Sequence, residues 1–402
     1  MFDTYSSEVV KEFVLQRLRL TPYTLGKSRE DVPSVVRAIG GLQYGGHRIE
    51  LFNRFESFRS EWFDYWYERY ALIEGHVLRG ALRIVNADEY PCYFKATRSV
   101  ARRRTYHRCP LSLSGNHLLT FNFIDEHGPF TPSEFKRLFG ARYTQLKSRA
   151  RKLLYDLYNY GKIARMGRRN QKPLYHAVEK LPYKLDMSQT GEKDAKEWLF
   201  LKCLSIYGPF TLKDIAHWVG WNITETKEVL NSLSEKKKII SVGIEGHRDA
   251  HYVKVEDTSL LNSLRNNLPE HSFIRILFND DALLLGYYRR LKDYFGYHWR
   301  YPQFSEGIAW RAAILHGRQL IGEAIVDMYA KSQFFKVKRL TLRKEFATPE
   351  ILSRIEDEFI RHARFQNKIL ERTNQDSFKE QNRCPTKGNS SKAISVLHEL
   401  AS

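Results

Sequence analysis

Gly128-Pro129-Phe130-Thr131 recurs 80 residues later as Gly208-Pro209-Phe210-Thr211, and Gly140 recurs as Gly220. An apolar stretch precedes each copy, Leu118 to Ile124 and Trp198 to Ile206, and reads as a helix. After the first copy Thr131 can serve as N-cap, with Pro132 at the first helical position and Glu134 three residues on; Thr211 and Asp214 repeat the device. A third helix follows each, with stripes Leu146, Ala150, Leu153, Leu154, Leu157 and Val229, Leu230, Leu233. Strand-like pairs then close each unit: Lys162 to Met166 with Leu174 to Val178, and Ile239 to Val242 with His251 to Val255. Three helices and a β-hairpin of this length spell a winged helix, a helix-turn-helix variant.

Charge separates the two copies. The third helix of the first carries Arg142, Lys147, Arg149, Arg151 and Lys152 off its apolar stripe, and its hairpin adds Lys162, Arg165, Arg168, Arg169 and Lys172. That copy is expected to sit on DNA. The second opens its third helix with Asn222-Ile223-Thr224-Glu225 and adds Glu228, which repels phosphates, so a structural role is expected there. Lys236-Lys237-Lys238 at its end suits the helix dipole.

The whole chain is basic. Among 402 residues, 65 Lys and Arg against 46 Asp and Glu give a net charge of +19, with a pI near 9.6, which argues for a polyanionic partner. No apolar run approaches the ~18 residues of a spanning helix, so a membrane is not the expected partner. Met1-Phe2-Asp3 does not begin a signal peptide, and Cys92, Cys109, Cys203 and Cys384 have no CxxC spacing. Reduced thiols, no zinc or other metal site, no cofactor and a cytoplasmic (nucleoid-associated) or nuclear location are expected.

Toward the N-terminus, Val10, Phe13, Val14 and Leu18 mark one helix face. A second helix starts at Asp31, a candidate cap, with Pro33 in its first turn and Val32, Val35, Val36 and Ile39 as its stripe. It runs into Gly40-Gly41-Leu42-Gln43-Tyr44-Gly45-Gly46, read as a loop. Two readings stand for it: a helix C-cap with its turn, or a loop that presents Gln43 to a ligand. Phe52, Phe55, Phe58, Trp62, Trp66 and Tyr70 follow at spacings of three or four and read as core. Val77 to Val85 reads as a strand bearing Arg79 and Arg83, and Asp88 to Thr97 as a helix. Lys95, Arg98, Arg102, Arg103, Arg104 and Arg108 then form a run without an acid, either a solvated face or a set of phosphate contacts.

Past Ser272 the pattern turns to period two: Trp310, Ala312, Ile314 alternate before His316-Gly317-Arg318-Gln319, and Leu320, Gly322, Ala324, Val326 after it. A third strand is expected near Phe335 to Leu342, then a helix from Thr348-Pro349-Glu350 with stripe Ile351, Ile355, Phe359, Ala363. Thr373 to Lys392 offers little beyond Phe378 and Cys384 to bury, and disorder is expected there.

Taken together these pieces resemble the AlkZ/YcaQ-type interstrand-crosslink DNA glycosylases. The likeness is carried by Asp31-Val32-Pro33-Ser34-Val35-Val36-Arg37 leading to Gly41-Leu42-Gln43, by Phe63-Asp64-Tyr65-Trp66, and by the two GPFT units. It continues through Phe278-Asn279-Asp280-Asp281-Ala282-Leu283-Leu284, Arg289-Arg290-Leu291, Tyr294-Phe295-Gly296-Tyr297 and Ile314-Leu315-His316-Gly317-Arg318-Gln319-Leu320-Ile321-Gly322. The resemblance implies an α+β, helix-rich fold: tandem winged-helix domains followed by a small β-rich C-terminal module with a terminal helix. The expected division is 1–112, a first winged-helix-like domain with the glycine-glutamine loop; 113–184, a basic second winged helix; 185–270, a third; 271–370, the β-rich module; and a disordered tail over 371–402.

The resemblance also implies cleavage of the N-glycosidic bond of alkylated or crosslinked purines in double-stranded DNA, by a monomer. The family's catalytic pair is a glutamine and, two positions on, a second glutamine or an aspartate. Gln43 matches the first, Gly45 occupies the second, and Glu68 stands where a histidine often follows the Tyr-Trp pair. Such hydrolysis passes through an oxocarbenium-like sugar, so charge must be steadied and water delivered to C1′. A glutamine can orient that water without taking its proton, which suffices for a good leaving base such as a cationic N7-alkylpurine. His47 and Glu50 are the nearby residues that could compensate for Gly45, His47 being equally readable as a packing or phosphate-contacting residue. Two functions follow: a monofunctional DNA glycosylase, or a non-catalytic winged-helix DNA-binding protein acting as regulator or damage sensor. The DNA-binding candidates are Arg79, Arg83, Arg102, Arg103, Arg104, Arg142, Lys147, Arg149, Arg151, Lys152, Arg168 and Arg169.

Overall fold

A computed structural model describes residues 3–43, 45–78, 81–104, 112–170, 172–181, 190–286, 290–299, 310–328, 332–372 and 378–381. The two GPFT units share one plan. In the first, helices Gly115–His127, Pro132–Arg142 and Ala150–Tyr160 lead into the hairpin Ile163–Arg169 and Lys172–Ala177. In the second, Glu192–Tyr207, Leu212–Val219 and Ile223–Glu235 lead into Ile239–Ile244 and His251–Lys254. Both expected capping boxes form: Thr131 with Glu134, and Thr211 with Asp214. The motif's phenylalanine bridges the second hairpin strand in each copy, Phe130 to Tyr175 and Phe210 to Tyr252. Its glycine is a matter of space, since a Cβ on Gly128 would stand 2.5 Å from Ile124 O and one on Gly208 2.6 Å from Leu204 O.

Three sheets organise the chain. The strand Thr4–Tyr5 pairs in parallel with Ile239–Ile244, so the N-terminus is strapped onto the hairpin of the second unit. A five-stranded sheet runs in the order Leu42–Gln43, Leu82–Asn86, Leu72–His76, Ile163–Arg169, Lys172–Ala177, joining the glycine segment to the hairpin of the first unit. Its junction is polar and enclosed. Arg165 reaches the Glu74 carboxylate at 2.6 Å, Tyr67 Oη donates to the same carboxylate, and Tyr158 Oη donates to the Glu74 carbonyl at 3.0 Å. The C-terminal sheet runs Ile369–Arg372, Phe334–Arg343, Gln319–Asp327, Trp310–His316, Ile274–Phe278, and packs on the helix Pro349–Phe365.

The cores follow these joins. One continuous apolar cluster holds the N-terminal helix Ser7–Arg17, the glycine segment, the second GPFT unit and the helix Leu291–Phe295; separate clusters fill the first GPFT unit and the C-terminal sheet. The first and third segments of the chain thus share a core that sequence order does not suggest.

Several expectations are corrected. Val77 to Val85 is a strand only in its second part, Leu82–Asn86, which pairs as a hairpin with Leu72–His76 before it. Asp31 does not cap the helix Val32–Ala38; its carboxylate instead accepts the backbone N–H groups of Lys27 and Ser28, closing the turn before it. The spaced aromatics fall on two helices, His47–Phe52 and Ser60–Glu68, their connection and, for Tyr70, the turn after the second helix, although they pack in or against the core as expected. The third helix of the first unit begins at Ala150, so Arg142 closes the preceding helix while Lys147 and Arg149 lie in the turn between. In the stretch read as a tail, residues Phe378–Gln381 form a strand parallel to Phe334–Arg343; the rest of the expected disorder falls outside the described residues.

Candidate active site

The glycine segment is more than a loop. Gly40 and Gly41 turn at φ +70° and +96°, bringing the chain down onto the strand Leu82–Asn86. A Cβ on Gly41 would meet Val85 Cγ1 at 2.6 Å and Ile84 O at 3.0 Å, so this approach needs glycine. Leu42 and Gln43 then pair with Ile84 and Arg83, a two-residue strand inside the stretch read as irregular. Tyr44 lies outside the described residues. Gly45 is exposed at φ +103°, with no heavy atom of the described residues within 4 Å of where a Cβ would stand, and Gly46 starts the helix His47–Phe52.

Glu50 fixes Gln43 from behind. Its Oε2 accepts the Gln43 backbone N–H at 3.1 Å and its Oε1 accepts the Ala282 backbone N–H at 2.9 Å. The carboxyl is fully enclosed, and burial pushes its pKa up to about 7 against the opposing charge of Arg54. Arg54 in turn donates to Asp281, to the Glu50 carbonyl at 2.8 Å and to the Leu18 carbonyl at 2.9 Å. Backbone pairing and the carboxylate clamp hold Gln43 while its half-buried carboxamide forms no hydrogen bond among the described residues. A primary amide in that state can orient a water or a base edge.

His47 stands apart from this network. Its ring packs on Phe63 at 4.5 Å between centroids, neither nitrogen has a hydrogen-bond partner among the described residues, and it is 7% exposed. Burial first, then the charges of Arg168 and Arg48, push its pKa down to about 3, so the ring is neutral at pH 7. Glu68, at the position where a histidine often stands in the resembled family, is exposed at the end of its helix.

The cationic candidates divide. Arg142, Lys147, Arg149, Arg151, Lys152 and Arg169 are all exposed around the third helix and hairpin of the first unit. Lys152 pairs with Asp156 at 2.6 Å and Arg169 with Glu134 at 3.1 Å, whereas Lys147, Arg149 and Arg151 make no ion pair among the described residues. Half-buried Arg168 lies over the Tyr67 ring at 5.2 Å and sends its charge toward His47, so the hairpin tip faces the glycine segment. Arg83 is a correction: at 2% exposure it turns inward, donates to the Gly41 carbonyl at 3.1 Å and lies 5.5 Å from the Trp218 ring, where no phosphate can reach it. Arg165 is likewise spent on Glu74. Arg79 and the side chains of Arg102, Arg103 and Arg104 lie outside the described residues. In the second unit Glu225 pairs with Lys196 at 2.8 Å and Lys236 with Glu197 at 2.5 Å, a self-neutralised surface.

The clamped glutamine thus stands at a strand end, overlooked by the cationic hairpin of a three-helix unit. The chain belongs to the AlkZ-like DNA glycosylase family, whose model matches residues 36–365. DNA is accordingly the partner of its class. Among solved structures, the Streptomyces sahachiroi DNA glycosylase AlkZ superposes with a TM-score of 0.67 at 16% identity, covering 92% of this chain and 100% of that one. No protein with a curated description matches the chain. No helix among the described residues is long and apolar enough to cross a membrane.

Sequence reasoning missed the acids at 280 and 281 as site residues. Asn279-Asp280-Asp281 interrupts an apolar run, Ile276-Leu277-Phe278 before it and Ala282-Leu283-Leu284-Leu285 after it. Charged residues so flanked are expensive to bury unless they are used, and that was the available signal.

Proposed function

We propose that this protein is a monofunctional DNA glycosylase that hydrolyses the N-glycosidic bond of alkylated or crosslinked purines in double-stranded DNA, acting as a monomer. The observation that supports this most is Gln43, whose backbone is clamped by Glu50 and the strand Leu82–Asn86 while its carboxamide stays unengaged. In this reading the two GPFT units are winged helices within the division 1–112, 113–184, 185–270 and 271–370. The exposed cations of the first unit hold the phosphates, and Gln43 orients the water that attacks C1′. An N7-alkylated purine suits such a site because its base departs neutral, lowering the demand on acid catalysis.

A second reading is favoured by Gly45, which offers no side chain where the resembled family places a second catalytic group: a DNA-binding damage sensor without chemistry. Release of 7-methylguanine from a methylated duplex separates the two. The glycosylase reading expects release by the wild type and none by Gln43→Ala, with both binding the duplex alike. Tight binding without release by the wild type on methylated and crosslinked duplexes would sink it in favour of the sensor.

A further inference from the structure

We propose that Asp280, delivered from the C-terminal module, supplies the carboxylate that position 45 lacks and takes the proton of the attacking water. The inference deepens the glycosylase reading and rests on it.

The geometry begins at Gly46. Its φ is an ordinary −95°, so glycine is not required there by backbone conformation. Space is what favours it, since a Cβ would lie 3.1 Å from Asp280 Cβ and 3.2 Å from Asp280 Oδ2, so that the Asp280 side chain would have to give by a few tenths of an ångström. The glycine segment therefore receives the Asp280 side chain directly against its backbone, three residues from Gln43. Glu50 locks the two stretches together, with one oxygen on the Gln43 N–H and the other on the Ala282 N–H, two residues beyond Asp280.

Three acids meet here, and two of them are fully engaged. Glu50 uses both oxygens on backbone N–H groups and is enclosed. Asp281 is gripped by Arg54 through both oxygens and also accepts the Leu283 backbone N–H at 2.9 Å. Asp280 is half-buried, makes no ion pair among the described residues, and receives one long hydrogen bond from Asn279 Nδ2 at 3.4 Å. Burial pushes its pKa up to about 6, with Arg83 pulling the other way, which suits a base at neutral pH. Asp280, Gly46, Glu50, Asn53 and Trp310 line a cavity of about 10 Å³, room for about one water. Asn53 is 1% exposed; its Nδ2 donates to the Ile276 carbonyl at 2.8 Å, and its Oδ1 is a buried acceptor with no donor among the described residues. A water in this cavity would donate to Asn53 Oδ1 and to Asp280 and so hold the carboxylate in place; Gln43 does not line the cavity, and the attacking water meets Asp280 from the Gln43 side of the glycine segment.

The step balances without a further reactant. As the C1′–N9 bond breaks, its electron pair leaves with the base and neutralises the N7-alkylpurinium. The water oxygen bonds to C1′, and one of its protons passes to an Asp280 oxygen and from there to solvent. Gln43 orients the water; Asp280 makes it a nucleophile.

The test uses the full chain and single-turnover release of 7-methylguanine. Asp280→Asn should slow release at pH 7.5 by about 10² to 10⁴, the usual range for a general base, with duplex affinity and melting temperature nearly unchanged. Asp280→Ala should regain part of the rate on addition of formate, a rescue that a purely structural role would not give. The wild type should show an acidic limb near pH 6 that Asp280→Asn removes. The other charged groups facing this position are Glu50, Arg83 and the Arg54–Asp281 pair; Glu50→Gln, which disturbs the clamp on Gln43 and lowers the rate, should still show the limb near pH 6, because that limb belongs to Asp280. Wild-type rate and pH profile in Asp280→Asn, beside an inactive Gln43→Ala, would overturn the role of Asp280 and leave the glycosylase reading standing. Absence of release by the wild type overturns both.

Discussion

Arg54 and Asp281 lie 227 residues apart and meet as a two-bonded ion pair, at 2.7 and 3.0 Å, with side chains 0% and 2% exposed. The pair fastens the turn after the helix His47–Phe52 to the turn that carries Asp280, so it sets the distance between the glycine segment and the C-terminal sheet. Neither charge has water to fall back on. Replacing Arg54 by Met should therefore leave Asp281 buried and unpaired and cost about 3–5 kcal/mol of stability. Urea unfolding of the variant checks this, and a loss below about 1 kcal/mol would mean that the pair is far better solvated than its burial indicates.

Burial of His47 has a consequence for pH. Its folded pKa is depressed to about 3 from 6.5, so its contribution to stability is fully present above pH 6.5 and is lost as pH falls through that window. His47→Leu should thus become more stable relative to wild type as pH drops from 7 to 4. Glu50 works in the opposite sense: raised to about 7, its contribution is present below its unfolded pKa of 4.5 and fades as pH rises to 7, and the difference between variant and wild type removes it. Melts of both proteins at pH 7, 5.5 and 4 decide the matter. Because a neutral imidazole with so low a pKa is a poor proton acceptor, His47→Leu should also keep base release within about tenfold of wild type, far short of the 10² to 10⁴ that loss of a general base costs.

Affinity for duplex DNA should reside in the first GPFT unit. Lys147, Arg149 and Arg151 are exposed and free of ion pairs among the described residues, while Glu225 in the second unit is already paired to Lys196. Replacing the three cations by Ala should weaken binding more than about tenfold, since each lost phosphate contact forfeits counterion release; Glu225→Gln with Glu228→Gln should not weaken it. Fluorescence anisotropy at fixed salt compares them, and equal losses would place the DNA elsewhere on the molecule.

The same contacts set the salt response. If five or more phosphates are neutralised, log K against log salt should fall with a slope of about −4 or steeper, and with the three cations removed the slope should shallow by about 2 to 3. A flat titration would remove the electrostatic basis of the +19 charge argument.

Much of this was legible in the sequence because it is local. The GPFT repeat, its capping threonines and its apolar stripes are interactions within a few residues, and Thr131–Glu134 and Thr211–Asp214 form as read. What stayed hidden depends on partners hundreds of residues away. Nothing in Arg83 itself separates a phosphate ligand from a cation turned onto Gly41 and Trp218. Glu50 reads as a residue that could compensate for Gly45 until Ala282 supplies the second half of its clamp, and Asp280 gains meaning only beside Gly46. The pairing of Thr4–Tyr5 with Ile239–Ile244 is of the same kind, a two-residue strand too short to carry a period.

Gly45 allows the catalytic arrangement to be tested from the other side. Placing aspartate there would restore, by identity, the carboxylate that the resembled family carries two positions after its glutamine. Among the described residues there is room for the side chain, since no heavy atom lies within 4 Å of the Cβ position. The backbone is the obstacle: φ is +103°, outside the left-handed region that even Asp and Asn visit, and holding an L-residue there costs of the order of 1–3 kcal/mol. Gly45→Asp should therefore lower the melting temperature without raising base release, and with Asp280 already in place it has no missing proton acceptor to supply. In an Asp280→Asn background the result is more telling. If relaxation of the segment lets the new carboxylate reach the water, Gly45→Asp should recover some of the lost rate there while still adding none to the wild type. A faster enzyme from Gly45→Asp alone, with Asp280 intact and no loss of stability, would show that the loop adopts another backbone in solution and that Asp280 is not the base.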